Sequence, residues 1–315
     1  FASLVNGPSG IAIDRTGNLF VANFSDGLIL AIPGSATTSI FGESVMPNEP
    51  IALDPGTAGS LANLVTQPGS LAIDAQGDLY ICDYMAGNQI TVIPSPLAST
   101  VFGQTVTPNQ PITLDPGTPG TLSGLVASPF GLGFDTSGDL FITSSDGISS
   151  NQIIVVPSTS VTSIFGQSVT PDVPVTLDPG TAGSLGTLLN EPNGLAFDDA
   201  GDLFVANYNN NTVTVIATET VPGPPTDVNA VPGDGQVEVS WNAPVDTGGI
   251  VITSYTASAF PGGASCTSAT TSCVITGLTN GDTYSITVTA TNAVGTSDPS
   301  DAVSVTIELV PTFAG

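Results

Sequence analysis

The apolar and polar positions of this chain repeat at long range. Pro8-Ser-Gly-Ile-Ala-Ile-Asp14 returns as Pro68-Gly-Ser-Leu-Ala-Ile-Asp74, Pro129-Phe-Gly-Leu-Gly-Phe-Asp135 and Pro192-Asn-Gly-Leu-Ala-Phe-Asp198. The closing aspartates are 60, 61 and 63 residues apart. Each is followed by two variable residues, then Gly-Asn or Gly-Asp, then an apolar run: Leu19–Ala22, Leu79–Cys82, Leu140–Thr143 and Leu203–Ala206. Glycine supplies the positive φ of a tight turn, and the Asp side chain accepts from nearby amides, so the pattern predicts strand, turn, strand. The second strand is apolar at nearly every position, as expected of a strand covered on both faces. A third strand is predicted at Leu28–Ile32, Ile90–Ile93, Ile153–Val156 and Thr212–Ile216. A fourth is predicted to end at Ile40-Phe-Gly42, Val101-Phe-Gly103 and Ile164-Phe-Gly166, with no counterpart in the last repeat.

Four short strands per repeat make a propeller blade, so residues 1–220 read as four blades starting near 7, 67, 128 and 191. The period of about 61 residues exceeds the usual propeller repeat of roughly 40–50. The excess is a segment repeated almost word for word at Phe41–Leu61, Phe102–Leu122 and Phe165–Leu185, built on Pro-x-x-Pro-[Ile/Val]-x-Leu-Asp-Pro-Gly-Thr. It reads as a short edge strand and a Pro-Gly turn, either a loop packed between neighbouring blades or a repeated contact surface. A last blade without its outer strand exposes unpaired backbone, a place for strand addition. Phe1, Leu4 and Val5 in the N-terminal segment are one candidate for closing the ring, and a strand from another subunit is the other.

Beyond a stiff Pro-rich linker at 221–225, strands alternate through residues 226–309: Gln236–Trp241, Ile252–Ala257, Cys273–Thr276, Tyr284–Ala290 and Ala302–Ile307. Strands at this spacing with Gly-rich turns predict a β-sandwich. The fold class is therefore all-β throughout.

These residues carry two resemblances. Pro192-Asn-Gly-Leu-Ala-Phe-Asp-Asp-Ala-Gly-Asp-Leu-Phe-Val-Ala-Asn207 resembles the NHL repeat, a propeller blade that hosts many functions. Trp241, Tyr255 and Gly277-Leu-Thr-Asn-Gly-Asp-Thr-Tyr284 resemble the fibronectin type III domain. The resemblance implies that Tyr284 forms a tyrosine corner and that the domain serves as a spacer or adhesion module.

Charge narrows the function. There are 27 acidic residues, one basic residue (Arg15) and no histidine, for a net charge of -26. Nucleic acid and anionic lipid bind through Lys and Arg, so neither is an expected partner. No apolar run reaches the roughly 18 residues that span a bilayer, and membrane insertion is not expected. A trypsin-like protease would find a single site, at Arg15. The start at Phe1 rather than Met is expected of a mature or trimmed product. Cys266 and Cys273 close a short loop whose oxidation contributes roughly 2–3 kcal/mol and needs an oxidising compartment. Together these features predict an extracellular or cell-surface chain. Cys82 is left over and reads as a small buried hydrophobe.

Little catalytic chemistry is available. Without histidine there is no Ser-His-Asp or Cys-His constellation and no His-ligated metal. The histidine-dependent lyases among NHL-type propellers therefore lend nothing here. A metal-dependent lactonase resembling the gluconolactonase propellers would rest on carboxylates, yet Glu43, Glu49 and Glu191 all fall in connecting segments. The chain reads as a non-enzyme without a cofactor. Calcium is the ion candidate, at Asp198-Asp-Ala-Gly-Asp202, although a plain turn explains those residues better because every repeat has one. Asn23-Phe-Ser and Asn210-Asn-Thr are N-glycosylation acceptors.

The expected function is structural or adhesive: self-association through the propeller edge and the chain termini, with a glycan or surface protein as a further partner. In its sharpest form this is a fibre subunit whose C-terminal extension (residues 308–315, ending in the tail 310–315, with Leu309, Val310, Thr312 and Phe313 as contacts) adds a strand to the next copy. The alternative is a glycan- or ligand-binding propeller on a stalk.

Overall fold

The computed structural model describes residues 4–54, 56, 61–84, 88–117, 121–145, 151–177 and 184–308. The chain divides into two compact units, Phe1–Ala217 and Thr218–Gly315.

The first unit holds the blades. Blade one contains β1 (Pro8–Ile13), β2 (Leu19–Asn23), β3 (Leu28–Ile32), β4 (Ser39–Ile40), β5 (Glu43–Ser44) and β6 (Ile51–Ala52). Blade two contains β7 (Pro68–Ile73), β8 (Leu79–Asp83), β9 (Gln89–Ile93), β10 (Thr100–Val101), β11 (Gln104–Thr105) and β12 (Ile112–Thr113). Blade three opens on a helical turn, α1 (Thr121–Leu125). It continues with β13 (Pro129–Phe134), β14 (Leu140–Ser145), β15 (Asn151–Val156), β16 (Ser163–Ile164), β17 (Gln167–Ser168) and β18 (Val175–Thr176). Blade four has α2 (Ser184–Leu188), β19 (Pro192–Phe197), β20 (Leu203–Asn207) and β21 (Thr212–Ile216). The antiparallel sheets run β1-β2-β3-β6, β7-β8-β9-β12 and β13-β14-β15-β18, then stop at three strands with β19-β20-β21.

The fourth strand is not where the sequence pattern put it. Ser39–Ile40 pairs with Glu43–Ser44 in a separate two-residue hairpin, and the strand that completes the blade is Ile51–Ala52, inside the repeated insert. Blades two and three do the same. Phe41 and Gly42 turn the chain at φ 45° and 84°, the double positive φ of a type I′ hairpin. Phenylalanine tolerates this strained conformation because its ring packs beside Phe20, 5.9 Å away between ring centres. Phe102 against Tyr80 and Phe165 against Phe141 repeat the arrangement, each at 6.2 Å.

The Asp that ends each first strand is a turn residue. Asp14 Oδ1 accepts from the amides of Thr16 and Asn18, both at 2.9 Å, and Asp74, Asp135 and Asp198 accept from the matching amides of their own turns. A polar residue at or next to the end of each second strand fastens the chain entering the blade. Asn23 accepts from the amide of Asn6, Asp83 from Thr66, Ser144 from Ala127 and Asn207 from Asn190.

Successive blades share their cores. One cluster joins Phe20, Ala22, Ile29 and Leu53 of blade one to Leu71, Leu79 and Ile81 of blade two. A second joins Tyr80, Cys82 and Val92 to Leu132, Leu140 and Ile142, and a third joins Phe141, Ile153 and Val155 to Leu203 and Val205. The inserts contribute Leu53, Leu114 and Leu177, with Leu61, Leu122 and Leu185, to these same clusters, so they pack between blades as expected. Cys82 is fully buried, and burial pushes its thiol up to about 12, so it stays a neutral thiol.

The second unit is a sandwich of two sheets, β22-β23-β26 and β25-β24-β27-β28. Its strands are β22 (Thr226–Gly233), β23 (Gln236–Asn242), β24 (Ser254–Phe260), β25 (Ser265–Ser268), β26 (Ser272–Thr276), β27 (Thr283–Thr291) and β28 (Val303–Thr306). Trp241 and Tyr255 meet in its core, 5.6 Å between ring centres. Tyr284 Oη accepts from the amide of Thr279 at 3.1 Å, which is the tyrosine corner. The stretch before β22 is fastened to this unit, with Thr220 donating to the carbonyl of Gly248 and Gly223 to that of Asp246.

Cys266 and Cys273 form a disulfide between β25 and β26, which belong to different sheets. The bond therefore ties the two layers of the sandwich together at one edge. Replacing both cysteines by serine is expected to cost the sandwich about 2 kcal/mol. Calorimetry should show its transition lowered by roughly 10 °C. An unchanged transition would mean that this edge of the sandwich is held fully by its own packing.

Candidate functional site

Among the described residues the blades do not close on themselves. First strands pack in series, β1 on β7, β7 on β13 and β13 on β19, and among the described residues no comparable contact joins β19 back to β1. Among the described residues two sets of apolar side chains are left exposed. On the fourth blade Val213 and Val215 are 61% and 51% exposed, whereas their counterparts Ile153 and Val155 in blade three are fully buried under blade four. On the first blade Ile11 and Ile13 are 66% and 65% exposed. Their counterparts Leu71 and Ile73 pack into the first interblade cluster. Val21 and Leu30, further along the same sheet, are buried.

Glycines mark how closely the interior blades approach. A Cβ added to Gly10 would lie 2.8 Å from Ser70 Cα and 2.9 Å from Gly69 O. One added to Gly131 would lie 2.1 Å from Asn193 O. Gly194 occupies the same repeat position in blade four, and nothing lies within 4 Å of the Cβ it lacks. Side chains latch the strands at the same level: Ser9 Oγ donates to Pro68 O at 2.6 Å and Thr143 Oγ1 to Asn193 O at 2.5 Å. Cys82 Sγ reaches Phe130 O at 3.3 Å.

Of the residues expected to take part in assembly, Phe1, Leu309, Val310, Thr312 and Phe313 lie outside the described residues. Leu4 is half-exposed and its carbonyl accepts from Asn23 Nδ2 at 3.1 Å, so this part of the N-terminal segment lies on the first blade. Val5 follows it there and is half-buried.

One glycosylation acceptor needs correction. Asn23 is fully buried, its Oδ1 holding the amide of Asn6 and its Nδ2 donating to Leu4 O and Asp26 Oδ2. It is a structural residue of the strand end and has no room for a sugar. Asn210 is exposed in the turn between β20 and β21, its Oδ1 accepting from Thr212 Oγ1 at 2.7 Å. In a host that modifies Asn-x-Ser/Thr sites, peptide mapping is expected to find carbohydrate on Asn210 and none on Asn23.

A second feature was not anticipated from sequence. Phe24, Tyr84, Phe130 and Tyr208, with Glu191 and Asn193, line a cleft of about 360 Å³ that draws on all four blades. Tyr84 lies 4.5 Å from Phe130 and 6.4 Å from Phe24 between ring centres. Phe24, Tyr84 and Tyr208 each follow the polar residue that ends the second strand, and this recurrence is the signal that was available.

The carboxylates named as a lactonase alternative are not brought together. Glu43 accepts from the amide of Asp54 at 2.8 Å, Glu49 is exposed in a turn, and Glu191 lines the aromatic cleft. In the calcium candidate, Asp198 Oδ1 is committed to the turn amides of Ala200 and Asp202. Among the described residues no cluster of three or more His, Cys, Asp or Glu is arranged for a metal ion. Nor does any described helix have the length and apolar character to cross a membrane.

The comparisons agree with the architecture. The NHL repeat profile matches residues 189–216, the fourth blade, and the fibronectin type III domain profile matches residues 223–306. Among solved structures, the FN5 domain of Drosophila Lar is 29% identical, covering 29% of this chain and 100% of that one at a TM-score of 0.25. The twitchin kinase region from C. elegans is 30% identical over 28% of this chain, with a TM-score of 0.26. A titin structure containing the kinase and its flanking domains is 26% identical over 27% of this chain, with a TM-score of 0.24. This chain spans 17% of the length of each of the last two. What the chain shows is an NHL repeat followed by a fibronectin type III domain, in a β-rich arrangement.

Proposed function

We propose that this chain is an extracellular structural or adhesive subunit that associates with copies of itself. The observation that carries the reading is the open blade series, with exposed apolar residues at each end: Ile11 and Ile13 on the first blade, Val213 and Val215 on the fourth. Exposed apolar surface of this sort, rimmed by polar residues, marks an interaction site. Two further features fit an extracellular setting: the disulfide, which persists outside reducing compartments, and a surface almost free of the basic residues a trypsin-like protease needs. Among the described residues the fourth blade has three strands and no strand pairs with the outer edge of β21, and strand addition there by residues 308–315 of another copy is the sharpest form of head-to-tail joining.

Size-exclusion light scattering and negative-stain electron microscopy of the full chain test the proposal. The expected result is mass that rises with concentration, ending in rings or filaments. Discrete monomers at every concentration would overturn it.

The aromatic cleft favours a second reading, a ligand-binding propeller. Clustered, mutually tilted aromatic rings with a carboxylate and an amide at the margin suit a neutral sugar face. In that case Tyr84→Ala should abolish the tyrosine fluorescence change on titration with oligosaccharides. The reading is lost if no carbohydrate on a broad array binds the intact chain.

A further inference from the structure

Resting on the reading of self-association, we propose that the fourth blade takes, as its missing neighbour, the first blade of a second copy. This is sheet face on sheet face, repeating the packing between blades within one chain. Repeat equivalence identifies the occupant. In blade three, Gly133 lies against Leu195 and Phe141 against Phe197 of the following first strand. Their counterparts in blade four are Ala196, which is exposed, and Phe204, which is partly buried beside the exposed Val213 and Val215. The residues equivalent to Leu195 and Phe197 in a first blade are Ile11 and Ile13, the two left exposed at the other end of the chain. Each end lacks what the other end offers.

The backbone fits as well. Gly131 allows the carbonyl of Asn193 to approach to a distance that no Cβ would permit. Gly194 keeps the same freedom while facing open space, and in the docked pair it would receive the carbonyl of Ser9 from the second copy. The contact joins two different surfaces, so it does not exhaust itself in a dimer. It builds a ring if the rotation between copies closes and a filament if it does not. Net charge opposes it, since each copy carries -26. Salt that screens this repulsion should strengthen association rather than weaken it, as expected for an apolar contact.

Three variants of the full chain decide the matter: Val213→Asp/Val215→Asp at one end, Ile11→Asp/Ile13→Asp at the other, and Gly194→Ala. All these positions are exposed or face open space, so each variant should melt with the dilute wild-type monomer. Placing carboxylates in a buried apolar contact should weaken association by about a hundredfold or more. The two Asp variants, each monomeric alone, should form a heterodimer on mixing and nothing larger, because one intact end of each remains. Gly194→Ala should weaken association without touching the charge.

A chain lacking residues 309–315 separates this contact from strand addition. If it still assembles, the face contact suffices. The proposal is overturned if the wild type assembles while the Asp and Gly194 variants assemble equally well, which would leave self-association standing by another route. A wild type that never leaves the monomer would remove both.

Discussion

Gly131→Ala is expected to cost the blade series about 3–5 kcal/mol, while Gly194→Ala, the same change at the same repeat position, is expected to stay within about 0.5 kcal/mol of wild type in dilute monomer. The difference lies in what surrounds each residue. The new methyl at 131 would sit 2.1 Å from Asn193 O and 2.8 Å from Thr143 Oγ1. Neither is the loose end of a flexible side chain. The carbonyl belongs to β19, and the hydroxyl is already bonded to that carbonyl at 2.5 Å. To relieve the clash, β19 must draw away from β13, opening the cluster that holds Phe141, Val155, Leu203 and Val205. At 194 the methyl meets nothing, and the lower entropy of the unfolded chain slightly favours alanine. Urea titration of both variants at low concentration measures the pair. A Gly131→Ala chain as stable as wild type would show that the inner strands do not approach so closely.

The propeller unit is also expected to be more stable in mild acid than at neutral pH. Burial, with the neighbouring Asp78 charge adding to it, raises the Asp74 carboxyl from the usual range to about 6. Asp135 is raised to about 6 mainly by burial, again beside an acidic neighbour, Asp139. A carboxyl raised in the folded state keeps its proton to higher pH than the unfolded chain does, so unfolding between these two values releases a proton. The stabilisation is therefore complete below about pH 4 and is lost as pH rises through about 6. For Asp74 the difference corresponds to about 3 kcal/mol, with a smaller share from the more exposed Asp135. Melting curves should shift upward by roughly 6–10 °C between pH 7.5 and 4.5. Relief of the overall negative charge acts in the same direction, and Asp74→Asn separates the two. The amide keeps the turn, since Oδ1 still accepts from Gln76 and Asp78, and it should raise stability at neutral pH while flattening the profile. A melting temperature that falls in acid would contradict the assignment.

Much of this architecture is legible in the sequence because one blade is written four times. The turn aspartates, the buried second strands, the buried Cys82 and the tyrosine corner all follow from residues whose physical task is local. The fourth strand was only partly legible. A short edge strand was expected in the insert, where Ile51–Ala52 lies, but the blade's fourth strand was placed at Ile40-Phe-Gly42, which has the look of a strand end and is really a hairpin tip. The helical turns at Thr121–Leu125 and Ser184–Leu188 escaped notice, being single turns inside a long insert. Asn23 shows a different limit. Its acceptor triplet is a covalent pattern that carries no information about burial, and the fold uses that side chain to hold Asn6. The open ends depend on how far the blades travel around a common axis, a long-range property that no local pattern encodes.

Each interblade cluster is complete in itself, made by one blade's trailing face and the next blade's leading face. The first and last faces are therefore independent of how many blades lie between them. Duplicating or deleting one whole period of about 61 residues would leave both terminal surfaces chemically unchanged while altering the arc that each chain subtends. The near-verbatim inserts bear the look of such copying. Unequal crossing-over in the gene would then retune the curvature and rise of an assembly in discrete steps, without any new contact having to be invented.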